Sequence, residues 1–227
     1  MLRLTFVTGT EPGKWFARYR ETTAHGLEEI PADDPLALIE SGAADLALIR
    51  LPDGRVGEAG QVFHRVTLYE EAPGAAVPKG SVYAEVGEKL HPRELADEHV
   101  NFTFAEHALI DDLRSALQVV AANVGVAYAP APLLKVLAKK QVVVVELTQL
   151  PRDMPATEIA LVWKVQADSD AIQDFVGVAK GRIRNSSRSA ASERPAKSNS
   201  KLKDKRGGQR KGSQSNHPKR GVRRKRR

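Results

Sequence analysis

The sequence predicts an α/β protein on an open, mostly parallel sheet, followed by a basic tail that does not fold. Three observations carry that expectation. Apolar runs of strand length alternate with amphipathic stretches of helix length from Met1 to about Lys180. Beyond Lys180 the apolar pattern stops, with residues such as Leu202 and Val222 isolated among Ser, Gly, Lys and Arg. Charge divides at the same point. Of 35 Lys and Arg and 28 Asp and Glu, residues 181–227 hold 18 and 2, a net of +16, which leaves 17 and 26, a net of −9, for residues 1–180.

The elements follow in order. Leu2 to Thr8 reads as a strand ended by Thr8-Gly9-Thr10, and Pro12 opens a helix running to about Ala24. Trp15, Phe16 and Tyr19 form its buried face, and His25-Gly26 closes it, glycine accepting the left-handed terminal conformation. Leu27 to Ile30 is a short strand. Asp33-Asp34-Pro35 caps a helix carrying Leu36, Leu38 and Ile39 that stops at Gly42. Asp45 to Leu51 is nearly all apolar, the pattern of a parallel strand covered on both faces. This βαβαβ order calls for an open parallel sheet.

Val66 to Val77 is extended but broken by Pro73-Gly74, as a long strand bending between two sub-sheets would be. A short helix at Pro92–Ala96, a strand at Val100–Phe104, and a helix from Asp111-Asp112 to Ala122 come next, its acidic start matching the helix dipole. Strands at Val124–Ala129 and Val142–Leu147 flank a helix at Pro132–Lys139. Ile159 to Val165 is a further strand, and Asp168 is the expected N-cap of a last helix with Ile172, Phe175, Val176 and Val178 facing inward.

Composition removes several function classes. Without cysteine there is neither a disulfide framework nor thiolate chemistry. No apolar run reaches the roughly 18 residues that span a bilayer, and the N-terminus has no signal-peptide pattern, so a cytoplasmic protein without membrane association is expected. The six histidines show no metal-ligand spacing, and no nucleophile elbow, Walker loop or GxGxxG occurs. No catalytic residue, metal or cofactor is expected, and the chain is not read as an enzyme.

Three stretches, in order, resemble one family. The first is Asp34-Pro35-Leu36-Ala37-Leu38-Ile39-Glu40-Ser41-Gly42-Ala43-Ala44-Asp45-Leu46-Ala47-Leu48-Ile49, a helix, a glycine and then "D-aliphatic-A-aliphatic". The second is Leu68-Tyr69-Glu70-Glu71 with Val77-Pro78-Lys79 and Leu95-Ala96-Asp97-Glu98. The third is Val119-Val120-Ala121-Ala122-Asn123-Val124-Gly125-Val126-Ala127-Tyr128-Ala129-Pro130, close to "VAAGxGVxxxP". With Thr157 to Trp163 and the closing helix, they resemble, over about residues 2–180, the effector-binding (substrate-binding) domain of LysR-type transcriptional regulators. The chain is more closely similar to an actinobacterial LysR-like group that lacks the DNA-binding domain and ends in basic tails.

The resemblance implies two Rossmann-like lobes joined by two crossover strands, a type 2 periplasmic-binding-protein-like fold. Lobe I would take about residues 1–70 and 157–180, lobe II about 71–156, and the tail 181–227. The chain departs from the family in two ways. Met1 leads directly into the first strand, where the family has a winged helix-turn-helix, and the Phe104–Asp111 interval is short by roughly one helical segment.

Candidate ligand-binding residues follow. Thr8, Gly9 and Thr10 end a strand before a helix, where free N–H groups and two hydroxyls suit an anion; Thr10 as an ordinary N-cap is the alternative. Arg50 ends the third strand, near the crevice where open α/β sheets bind ligands, or is simply salt-bridged. Thr103 and His107 end the Val100 strand and, in the geometry the resemblance implies, would face the cleft from the second lobe; a surface histidine is the alternative at His107. A small anionic or polar effector is expected between the Thr8–Thr10 and Thr103–Ala108 edges. Homodimerisation through the α/β domain is a further expectation.

The tail carries Lys201, Lys203, Lys205, Arg206, Arg210, Lys211, Lys219, Arg220, Arg223, Arg224, Lys225, Arg226 and Arg227 in spaced clusters, and no Trp, Tyr or Phe occurs after Phe175. Phosphate neutralisation with counterion release is the chemistry it offers, without base stacking, so sequence-independent nucleic-acid binding is expected. A solubilising tail, or one resting on acidic lipid or on the acidic domain itself, is the alternative. Three functions remain open: a LysR-like sensing domain that regulates transcription and reaches nucleic acid through its tail, a solute-binding module with no nucleic-acid role, and a nucleoid- or ribosome-associated protein on a degenerate ligand domain.

Overall fold

The computed structural model describes residues 1–57, 60–85, 87–106 and 108–181. Along the chain come β1 (Leu2–Val7), α1 (Gly13–Thr22), β2 (Leu27–Ala32), α2 (Pro35–Glu40), β3 (Leu46–Leu51) and β4 (Phe63–Glu70). After Glu71-Ala72 follow β5 (Pro73–Pro78), β6 (Val100–Thr103), α3 (Ile110–Ala121), β7 (Val126–Pro130), α4 (Ala131–Leu137) and β8 (Val142–Glu146). Finally come β9 (Glu158–Lys164) and α5 (Asp170–Ala179), and short 3-10 turns occupy Val82–Ala84, Pro92–Leu95 and Val165–Ala167.

Side-chain alternation decides how the first sheet is covered. Leu46 and Leu48 of β3 enter one core while Ala47 and Ile49 enter another; on β9, Ile159, Leu161 and Trp163 separate from Ala160 and Val162 in the same way. A sheet apolar on both faces needs a layer on each. Phe16 and Tyr19 of α1 with Ile172 and Phe175 of α5 cover one side, and Leu36 and Ile39 of α2 cover the other. Tyr19 also ties the two helices on its side, donating to Ala171 O at 3.1 Å, and its burial pushes the phenol up to about 12. The strand order is β2-β1-β3-β9-β4, with β1, β2 and β3 parallel and β9 antiparallel to both β3 and β4.

The second sheet has the order β6-β7-β5-β8, with β6 parallel to β7 and β5 antiparallel to both neighbours. Leu113, Leu117 and Val120 of α3 and Leu133 and Leu134 of α4 close its core. The bend expected at Pro73-Gly74 is therefore a change of sheet between β4 and β5. Outgoing and returning chain are joined there, Glu71 N–H donating to Thr157 O at 2.9 Å.

Helix ends agree with the sequence at one place and differ at three. Asp34 caps α2, its Oδ1 accepting from Ala37 N–H, with Pro35 in the first turn. Helix α1 starts at Gly13 without a side-chain cap, because Pro12, whose side chain offers no acceptor, holds the N-cap position, while Thr10 Oγ1 donates backward to Val7 O at 2.7 Å. It ends at Thr22, and an extended Thr23 leads out, so Gly26 takes no left-handed terminal conformation. At α5 the cap is Ser169, not Asp168. Asp168 accepts instead from Trp163 Nε1 at 3.2 Å and Gln173 Nε2 at 2.7 Å.

The turn into β7 runs left-handed at Asn123 (φ 67°) and Gly125 (φ 60°). A Cβ at Gly125 would lie 2.0 Å from His99 O, the same carbonyl that accepts from Val126 N–H at 2.8 Å. Gly125→Ala should therefore cost more than about 2 kcal/mol, from left-handed strain plus a displaced β6–β7 junction. Urea denaturation measures it, and a wild-type midpoint would contradict the close approach.

Candidate functional site

Arg50 shares the parity of Leu46 and Leu48 on β3, so the apolar face of that strand ends in a guanidinium. Its side chain is 4% exposed, and that of Glu71, the residue just past β4, is 0% exposed. The two form a bidentate pair, Arg50 Nε donating to Glu71 Oε2 at 2.6 Å and Nη2 to Oε1 at 3.0 Å. Nη2 also donates to Thr8 O at 3.2 Å, and the Phe104 ring lies 6.0 Å from the guanidinium carbon. Either charge alone would be costly here; the fork geometry and the extra acceptor make the pair tolerable.

The turn after β1 is held by the same cluster. Gly9 has φ 95°, and a Cβ there would meet Leu133 Cα at 2.8 Å and Arg50 Nη2 at 3.0 Å. Glycine is required, because this backbone is pressed between Arg50 and the start of α4. Thr8 Oγ1 donates to Asp33 Oδ1 at 2.5 Å, and Asp33 also accepts from Arg114 of α3 at 2.8 and 3.2 Å. The two sheets are thus linked at the rim by an ion pair and in the interior by close packing.

Beside this cluster lies a cavity of about 280 Å³. Asp33, Asp34, Arg50, Asp53 and Arg55 line it from one side, and Phe104, Glu106, Leu109 and Ile110 from the other. Arg55 donates to both Asp34 and Asp53. Those bonds hold the Asp34 carboxyl below its ordinary range against the opposing effect of burial. The Arg114 bonds hold the Asp33 carboxyl low, again against burial and with help from the Thr8 hydroxyl.

Of the residues singled out from the sequence, Thr8, Gly9 and Arg50 come together, and Arg50 lines the cavity. The Thr10 hydroxyl is bonded inward to Val7 O. Thr103 is half-buried in β6, opposite Tyr128, and does not line the cavity. His107 and the tail cations from Lys201 to Arg227 lie outside the described residues. Asp33, Asp53, Arg55, Glu71, Phe104, Glu106 and Arg114 were not singled out as site residues. Phe104 and Glu106 fall within the Thr103–Ala108 edge expected to face an effector, and Asp33 belongs to the acidic pair Asp33-Asp34 that was read as capping. Among the described residues no acidic or histidine cluster is placed to hold a metal ion, and no helix is long and apolar enough to cross a membrane.

The depressed Asp33 carboxyl gives the rim ion pair a definite pH dependence. Its stabilisation is present above the ordinary carboxylate range and is lost as pH falls through the lowered value. Arg114→Gln should therefore lower stability at pH 7 and shrink the further loss between pH 7 and 3. Asp34, held low by Arg55, leaves a residual acid sensitivity. Urea midpoints of both proteins at the two pH values check this, and an unchanged difference contradicts a role for the pair.

Comparison with known proteins agrees with this architecture. The effector-binding domain of BenM with its effector benzoate superposes with a TM-score of 0.57 at 18% identity, over 79% of this chain and 90% of that one. Reduced OxyR from N. meningitidis gives 0.56 at 15% identity, over 81% and 96%. Full-length CbnR in complex with its target DNA gives 0.56 at 11%, over 79% of this chain and 69% of that one. At such identities the likeness establishes the fold, of the type 2 periplasmic-binding-protein kind. No curated protein sequence matches the chain. The model of the LysR substrate binding domain matches residues 17–184, most of the sequence. The chain belongs to the LysR substrate-binding-domain family.

Proposed function

We propose that this chain is a small-molecule-sensing domain acting as, or alongside, a transcriptional regulator, and that its basic C-terminal segment binds nucleic acid. The cavity between the two sheets carries the sensing part of this reading. At about 280 Å³ it is large enough for a small metabolite, and it combines an apolar wall (Phe104, Leu109, Ile110) with fixed polar groups. Most of those groups are carboxylate acceptors, and two of them are already bonded to Arg55. Of the two effector classes expected from the sequence, anionic and polar, this lining favours a polar molecule that offers hydrogen-bond donors.

Nucleic-acid binding rests on charge. A segment of net +16 follows a body of net −9 that should itself repel phosphates. Without aromatic residues or a positioned element, the segment supports backbone contact rather than base readout.

A second reading, a scaffold in a nucleoid or ribosomal assembly, draws on a different observation. The chain's own groups already make contacts of the kind a ligand would make, Arg50 pairing with Glu71, Gly9 packing on Leu133 and Asp33 pairing with Arg114.

Two measurements separate these readings. A thermal-shift screen of polar metabolites should find a stabilising ligand for the sensor, and Glu106→Ala or Leu109→Ala should weaken it; no ligand at millimolar concentration favours the scaffold. Mobility-shift titrations of the full chain and of residues 1–181, checked for folding by circular dichroism, test the tail. If about six phosphates are neutralised, affinity should fall on the order of 10³-fold between 50 and 200 mM salt. Truncation should abolish binding. Equal binding by the truncated protein would remove the tail from the account.

A further inference from the structure

We propose that Glu71 is a built-in carboxylate ligand that occupies the anion site formed by Arg50 and so determines specificity, excluding carboxylate effectors from the floor of the cleft. The inference rests on reading the space between the sheets as the effector site, but its test does not require an effector.

The geometry at Arg50 is that of an anion receptor. A planar guanidinium presents two parallel N–H bonds from Nε and Nη2, the edge that matches a carboxylate. Thr8 O fixes the same Nη2, and the Phe104 ring lies beside the cation from the other sheet. All of this is almost wholly removed from water, with the Arg50 side chain 4% exposed. The acceptor is a side chain of the same protein, at 2.6 and 3.0 Å.

Glu71 differs from the other acids around the cleft. Asp33 and Asp34 sit at the rim with side chains 41% and 51% exposed, whereas that of Glu71 is 0% exposed. Its backbone is fixed by the N–H bond to Thr157 O, so its carboxylate is delivered to Arg50 by the junction between the sheets. Stability alone does not require such an arrangement, since well-packed apolar residues in place of a buried ion pair are often as stable or more so. What the pair does provide is occupancy. The two positions an incoming carboxylate would need are already taken by oxygens tethered at high effective concentration.

Removing the tether should uncover the receptor. Glu71→Ala deletes the carboxylate and leaves room for formate or acetate beside Arg50. Thermal midpoints of wild type, Glu71→Ala and Arg50→Met/Glu71→Ala would be followed in formate, acetate and chloride at matched ionic strength. The single variant should melt at least about 4 °C below wild type. Formate or acetate should restore much of that loss where chloride does not, while wild type and the double variant show no carboxylate-specific rise. A rise in wild type equal to that of the variant would overturn the proposal, as would a single variant that responds no more to formate than to chloride. If Glu71→Ala does not fold, Glu71→Gln decides: it keeps the volume, drops the charge, and should melt below wild type without a formate response. A wild-type midpoint for Glu71→Gln would overturn the proposal equally. A protein that passes these tests yet meets no stabilising metabolite would keep Glu71 as the occupant of the Arg50 anion site and lose both the sensing role and its specificity.

Discussion

Two opposite charges with almost no access to water meet where β3 ends, the turn after β1 passes, and the chain leaves the first sheet for the second. Breaking a buried pair of this kind by losing one partner typically costs about 3–5 kcal/mol, against a total stability of about 5–15 kcal/mol for a domain. Each neighbouring feature is conditioned by it. Thr8 offers its carbonyl inward because Arg50 needs a third acceptor, and Gly9 is glycine because the guanidinium and α4 leave no room for a side chain. Glu71 holds both strands of the junction, through its side chain to Arg50 and its N–H to Thr157 O. Phe104 brings the second sheet against the same cation.

The two sheets meet this constraint from different cores. The first is covered on both faces, so its inner strands β3 and β9 are apolar through most of their length and its geometry is fixed from two sides. The second is closed by α3 and α4, and its edge toward the first carries the short connection Phe104–Leu109. The described part of that connection supplies most of the opposite wall of the cavity without a helix of its own. This short irregular segment is anchored by β6 before it and α3 after it, and its first residue, Phe104, is part of the second core as well as of the cavity wall.

Local information was enough for nearly every element, because each needs only its own periodicity and its own punctuation. Pro73-Gly74 marked the change of sheet, and the alternating burial of β3 was implicit in a run from Leu46 to Ile49 without a polar residue. Caps were read less well, since Asp168 and Ser169 are equally plausible until Trp163 Nε1 claims the first. Nothing in the sequence placed β9 between β3 and β4, a pairing that joins segments about a hundred residues apart. The candidate site suffered most from this locality. Asp33 looks like a helix-start charge, but Arg114 reaches it from 81 residues away, and Glu71 differs from Glu70 only in which side of the junction it faces. Arg50 was found because strand ends are informative by themselves. Its partner was not, because burial is a property of the assembled fold.

The placement of the aromatic residues has an optical consequence. Both tryptophans belong to the half built on the first sheet: Trp15 on α1, 6.4 Å from the Tyr69 ring, and Trp163 on β9, 3% exposed and bonded to Asp168. The second sheet and its helices contain none, and absorb in the near ultraviolet through Tyr83 and Tyr128. Emission excited at the red edge, where tyrosine is silent, therefore observes one half of the molecule, while the far-ultraviolet signal averages over both. If the halves come apart in separate steps, the two signals will diverge along a denaturation curve. If the buried charges at the junction make them a single cooperative unit, the curves will coincide, and the native chain reports which without a label or a substitution.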